Sequence, residues 1–133
     1  FAVDKYSSVE EVSEALRVSG LEVTQLIVGI DFTGSNQVTG ARSFGGRCLH
    51  DLVKGTMNPY QHCIDVIGRT LAPFDADGDV PVFVFGDSTT RSHSVREISS
   101  RSGHGFNRAL AAYEKEAKRV EEGAVTLSGP TSF

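Results

Sequence analysis

The sequence predicts an α/β fold, and three observations predict it. Two apolar runs, 26-LIVGI-30 and 80-VPVFVF-85, lack the polar–apolar alternation of a half-exposed strand and suit a sheet covered by helices on both faces. Stretches with the helical period of apolar residues flank and separate these runs. The resulting order of helix, strand, helix, strand, helix is the alternation of layered α/β domains. At 133 residues the chain has the size of one domain.

The first helix is expected from Ser8 to Gly20. Ser8 with Glu11 three residues on makes a capping box, Val9, Val12 and Leu16 share a face, and Gly20 can close the C-terminus. The first strand follows at 26-LIVGI-30. Residues 36–57 have no clear period and are rich in Gly, Ser and Arg, which reads as a long connection. The second helix is 58-NPYQHCIDVIGRTLAPF-74, with Asn58 as cap, Pro59 in the first turn and Pro73 as stop. Its apolar stripe is Tyr60, Ile64, Ile67 and Leu71, with Cys63 beside it. An acidic turn, 75-DADGD-79, leads into the second strand. A polar loop over 88–105 holds one weak strand at 95-VREI-98. The last helix turns Phe106, Leu110, Tyr113, Ala117 and Val120 inward and Glu114, Lys115, Glu116 and Lys118 to solvent. Two good strands and one weak one make only a small sheet.

Composition narrows the function. Net charge is −4 and pI about 5.5, so a general nucleic-acid or anionic-membrane binder, which needs a basic face, is not expected. No apolar run reaches the length of a membrane span. Cys48 and Cys63 form no zinc spacing; both are expected reduced, with Cys63 buried on a helix face, in an intracellular compartment. The chain opens on Phe1 rather than Met, as a piece of a longer protein or a processed product would. His50, His62, His93 and His104 have no metal-ligand spacing. The segment 75-DADGD-79 is no calcium loop, because Val80 and Gly86 stand where Gly and Glu are required. The stretch 43-SFGGR-47 lacks the ending of a phosphate loop. Arg42, Arg47, Lys54, Arg91, Arg96 and Arg101 are expected as solubilising loop charges. No acid–base pair or activated nucleophile is visible, so no catalysis is expected in this chain.

One motif stands out. In 26-LIVGIDFTGSN-36 a buried strand ends in Asp31, Thr33 and Ser35 at alternate positions. In open α/β sheets ligands bind beyond the carboxyl ends of the strands. One carboxylate with neutral hydroxyls suits a hard, oxygen-seeking cation such as Mg2+ better than Zn2+. The plainer reading is a loop cap, a common use of Asp, Ser and Thr. Asp87 in 85-FGD-87 is expected at the same sheet edge, supporting the site from behind or ending a turn.

Together with 58-NPYQHCIDVIGRTLAPFDADGD-79, 83-FVFGD-87, 103-GHGF-106 and 128-SGPTSF-133, this segment resembles the copine-type von Willebrand factor A domain. The version in plant RING-type ubiquitin ligases with a copine-like domain is most similar, and the lead-in 9-VEEVSEALRVSGLE-22 agrees. The likeness runs through nearly the whole chain. It implies a Rossmann-like von Willebrand factor A fold, with residues 1–133 forming a domain truncated at its C-terminal end. It also implies a metal-ion-dependent adhesion site in which Asp31, Thr33, Ser35 and Thr131 hold Mg2+, Mn2+ or Ca2+ and an acidic side chain of a protein partner binds the ion. The family's last site aspartate has no counterpart before Phe133, so a weakened site and self-association through an open strand are expected. Two parent proteins are implied: an E3 ubiquitin ligase that recruits substrates through this domain, or a copine that binds phospholipid in response to Ca2+ through domains outside this chain. A cytoplasmic, membrane-associated or nuclear location is the matching expectation.

Overall fold

The computed structural model describes residues 5–22, 25–75, 78–100 and 103–131. Of the features named above, Phe1, Ala76, Asp77, Arg101, Ser132 and Phe133 lie outside them. The described residues form α1 (Val9–Val18), β1 (Val28–Asp31), α2 (Ser35–Ser43), α3 (Pro59–Leu71) with a 3₁₀ turn (Ala72–Phe74), β2 (Val82–Phe85), β3 (Arg96–Ile98) and α4 (Gly105–Glu121). This is the α/β class read from the sequence.

The sheet is small and mixed, in the order β1-β2-β3. β1 runs parallel to β2, with Val28 opposite Val82 and Asp31 opposite Phe85. β3 is antiparallel, with Val82 opposite Ile98. The two-residue period of the strands sends Ile30, Val82, Val84 and Ile98 to one face, where they pack on Ile64 of α3 and on Ala109, Ala112, Tyr113 and Ala117 of α4. On the opposite face Phe83 and Phe85 are half-buried and Ile27, just before β1, is 71% exposed. Burial therefore alternates along strands whose sequence does not, and the covering expected on both faces is strong on one only.

The caps agree with the sequence. The Ser8 hydroxyl accepts from the Glu11 N–H at 3.2 Å, and Asn58 and Gln61 form a reciprocal capping box. α1 docks on α3 through the Ser13 hydroxyl, which donates to the Thr70 carbonyl at 3.0 Å, and through Arg17 lying 5.6 Å over the Phe74 ring.

Five local expectations are corrected. Residues 36–43, read as the start of a connection, belong to the helix α2 (Ser35–Ser43); its polar, glycine-containing sequence shows no apolar stripe because only Asn36 and Gly40 are buried. In α3 the inward side is Ile64 and Gly68, while Ile67 is 47% exposed. The cause is the close approach of α4: a Cβ on Gly68 would stand 2.6 Å from Cβ of Phe106. The same rotation leaves Cys63 exposed, not buried. In α4, Glu116 turns inward and is 4% exposed. It pairs with Arg119 at 3.1 Å and with Arg96, which lies on β3 and not in a loop.

Candidate metal centre

β1 delivers the site by simple alternation. Phe32 is wholly buried, and its N–H donates to the Phe85 carbonyl at 2.8 Å, continuing the ladder one residue past β1. Asp31 and Thr33 therefore project together from the other side. The chain then turns at Gly34, and α2 begins at Ser35.

A distant segment closes the site. Val125 is buried, and beyond it Leu127 bridges Asp87 while Ser128 bridges Thr33. The Ser128 N–H donates to the Gly86 carbonyl at 2.9 Å, and the Gly34 N–H to the Gly129 carbonyl at 3.0 Å. This run crosses the carboxyl ends of β1 and β2 and brings in Thr131. The Thr131 hydroxyl donates to Oδ2 of Asp31 at 2.9 Å and lies 2.8 Å from Oγ1 of Thr33. Oδ1 of Asp31 accepts from the Thr33 N–H at 2.7 Å and from Nδ2 of Asn36 at 3.3 Å. The structure thus joins Asp31, Thr33 and Thr131 directly. Ser35 is half-buried at the first position of α2, outside this hydrogen-bonded set among the described residues.

Asp87 sits two residues beyond β2 and is fully buried. Its Oδ1 accepts from the N–H groups of Thr89 and Thr90 at 2.8 and 2.7 Å and from both their hydroxyls. Its Oδ2 accepts from Arg96 at 2.7 Å. Burial works to raise its pKa, but the donors from Thr89, Arg96 and Thr90 outweigh burial and hold the carboxyl well below the usual range. This carboxylate fixes the loop after β2. No hydrogen bond links it to Asp31, Thr33 or Thr131 among the described residues.

Under the site lies a buried polar layer centred on His50, whose role the sequence reading missed. His50 is 2% exposed and stacks between Phe32 (centroids 4.1 Å apart) and Tyr60 (4.2 Å). Burial pushes its pKa down to about 4, against the Asp31 carbonyl and the charges of Asp31 and Asp51, which act to raise it. Burial likewise raises the Tyr60 and Tyr113 phenols well above their usual range. Tyr60 and Tyr113 follow the helical spacing read from the sequence, whereas no spacing rule reveals His50.

Two oxygen spacings that serve here as hydrogen bonds also have the length of a small hard cation's ligand edge. Neighbouring ligands of an octahedral Mg2+ with bonds near 2.1 Å are about 3 Å apart. The Oδ2–Oγ1 and Oγ1–Oγ1 distances of 2.9 and 2.8 Å are close to that edge. Among the described residues no group of three or more His, Cys, Asp or Glu side chains converges on a metal position; the Asp31 cluster is of another kind, one carboxylate with hydroxyls.

Comparison with known proteins agrees with the motifs. A family model described as Copine matches residues 48–133. The chain is 50% identical over 132 residues to the E3 ubiquitin-protein ligase RGLG4 of Arabidopsis thaliana, covering 98% of this chain and 31% of that protein. It is 43% identical over 129 residues to Copine family protein 1 of Caenorhabditis elegans, covering 96% of this chain and 11% of that protein. Copine-C of Dictyostelium discoideum is 32% identical over 119 residues, or 86% of this chain and 20% of that protein. The chain spans less than a third of each of these relatives. With a family match over more than half its length and these identities along nearly all of it, the chain belongs to the copine family.

Proposed function

We propose that this chain is a divalent-cation-dependent protein-interaction module. In this reading Asp31, Thr33, Ser35 and Thr131 hold Mg2+, or Mn2+ or Ca2+, and an acidic side chain of a protein partner completes the coordination. The observation that carries it is the Thr131 hydroxyl, which stands 2.9 Å from Asp31 Oδ2 and 2.8 Å from Thr33 Oγ1. A bound cation would take the place of the proton that Thr131 gives to Asp31 Oδ2, with the Thr33 and Thr131 hydroxyls turned to present lone pairs, while the Thr33 N–H keeps Asp31 aimed. Ser35 supplies the fourth oxygen from the start of α2. A cation held by one carboxylate and neutral hydroxyls stays under-neutralised and so attracts a further carboxylate. Arg96 and the threonines hold Asp87 within its own turn, and this fixes the rim beside Asp31.

Residues 1–133 would serve as part of a longer protein. Substrate recruitment for ubiquitin transfer is the reading favoured by the relative at 50% identity, an E3 ubiquitin-protein ligase by name. The relatives named copines favour the second reading, the A domain of a calcium-dependent phospholipid-binding protein, with membrane contact made by other domains. No helix of the described residues is long and apolar enough to cross a membrane. Cys48 and Cys63 are free thiols, which suits a reducing cytoplasmic or nuclear setting. β1 pairs with a strand on one side only among the described residues, and an open edge of this kind favours self-association.

Calorimetric titration of Mg2+ and Mn2+ into this chain, with and without a short Asp/Glu-containing peptide, tests the proposal. Cation binding that Asp31→Ala abolishes, and peptide binding that needs the cation, are the expected results. Peptide binding that is indifferent to chelator would refute the metal-dependent mechanism.

A further inference from the structure

The main-chain carbonyl of Asp31 is surrounded by buried donors. His50 Nε2 lies 2.8 Å from it and Asn36 Nδ2 3.0 Å, and the Tyr60 hydroxyl, 3.1 Å away, shares its one proton between this carbonyl and Asn36 Oδ1. A carbonyl only accepts, so Nε2 of His50 carries the proton and Nδ1 is left as an acceptor. The Tyr113 hydroxyl, 3.0 Å from Nδ1, then donates to it, and its oxygen accepts from Asn58 Nδ2 at 2.9 Å. Along the line from Asn58 through Tyr113 to His50 each donor meets an acceptor. The donors run one way, from Asn58 at the cap of α3, through Tyr113 of α4 and the His50 ring, to the end of β1. Asn36 adds a second clamp, since its Nδ2 also reaches Asp31 Oδ1 and the Thr33 carbonyl while its Oδ1 accepts from Tyr60 at 2.8 Å.

We propose that His50 is a positioning residue for the cation site. Its Nε2–H, with the tautomer fixed by the Tyr113 hydroxyl, pins the Asp31 peptide so that the carboxylate faces the Thr33 N–H and the Thr131 hydroxyl. The stacking of Phe32 and Tyr60 on the ring prevents it from tilting away. Groups behind a metal ligand commonly change affinity about 10- to 100-fold when removed. The affinity part of the inference rests on the cation-site reading above; the positioning part does not.

Two readouts separate them: Mn2+ affinity, and hydrogen exchange of the Thr33 amide, whose N–H binds Asp31 Oδ1. His50→Leu is expected to weaken Mn2+ binding about tenfold and to speed Thr33 exchange selectively against the core amides of β2. His50→Gln, whose carboxamide places a donor near the position of Nε2, is expected to restore both. Ring nitrogen shifts are expected to report the Nε2–H tautomer in the wild type and its loss of preference in Tyr113→Phe. If His50→Leu leaves Thr33 exchange unchanged, or His50→Gln is as defective as His50→Leu, the positioning role is overturned. If the wild type binds no Mn2+, the cation reading fails, and the Thr33 exchange of the same variants still decides the positioning role. If His50→Leu does not fold, Tyr113→Phe, which keeps the ring, decides in its place: raised Thr33 exchange supports the proposal and unchanged exchange overturns it.

Discussion

Thr131 and Asp31, 100 residues apart in the chain, meet through a 2.9 Å hydrogen bond from hydroxyl to Oδ2. The same hydroxyl oxygen is 2.8 Å from that of Thr33. Removing it with Thr131→Val keeps the shape and takes one oxygen from the cluster. The expected outcome is a stability loss of about 1 kcal/mol or less, the usual net worth of one hydrogen bond, with a much larger relative loss of cation affinity. Thr131→Ser retains both properties. Thermal unfolding and a Mn2+ titration of the two variants check this.

Gly86 has φ +81°, and a Cβ there would lie 2.3 Å from Cγ2 of Thr33. Gly86→Ala therefore combines left-handed backbone strain with a collision in the wall of the site. A loss of roughly 2 kcal/mol or more is expected, with shifted amide resonances at Thr33 and Gly34. Denaturant unfolding and a two-dimensional amide spectrum measure both.

Arg96 bridges two buried carboxylates, Asp87 on the loop after β2 and Glu116 on α4. Arg96→Met leaves both charges without their shared partner. Breaking a buried pair from one side costs about 3–5 kcal/mol; the Arg96 side chain is 29% exposed, so a loss near 3 kcal/mol is expected. Restoring neutrality with Arg96→Met/Glu116→Leu is expected to recover part of it in a double-mutant cycle.

His50 makes stability depend on pH. Its ordinary pKa of 6.5 falls to about 4 in the fold, so between these values the unfolded chain binds more protons than the folded one. The contribution is complete above about pH 6.5 and is lost as pH falls toward 4, for a total of about 3 kcal/mol. Unfolding curves of the cation-free protein at pH 7.5, 6 and 5 are expected to show this decline, and His50→Gln to flatten it.

Much of this was legible in the sequence, and the reasons for the rest are physical. Asp31, Thr33 and Ser35 draw notice because a strand that ends in alternating oxygens is unusual, while Thr131 enters only through the family resemblance; the structure joins Asp31, Thr33 and Thr131 by hydrogen bonds. The caps at Ser8 and Asn58 followed from local chemistry alone. α2 was missed because a helix with Asn36 and Gly40 as its buried face carries no apolar period. Ile67 and Cys63 were misplaced because the rotation of α3 is set by Phe106 pressing on Gly68, a tertiary fact. Glu116 and Arg96 looked like solvent charges because ion pairing between distant elements leaves no mark on periodicity. His50 was passed over because a histidine that bonds a carbonyl needs no partner at a set spacing.

The central claim is that Asp31 anchors a divalent-cation site, and paramagnetic broadening by Mn2+ tests it most directly, since it detects weak binding residue by residue. Amide spectra of this chain would be recorded during a Mn2+ titration, beside Asp31→Ala. Broadening centred on residues 31–36 and 128–131, reversed by Mg2+ and absent in Asp31→Ala, is the predicted result. Broadening scattered over the exposed acidic side chains, or unchanged by Asp31→Ala, would contradict it.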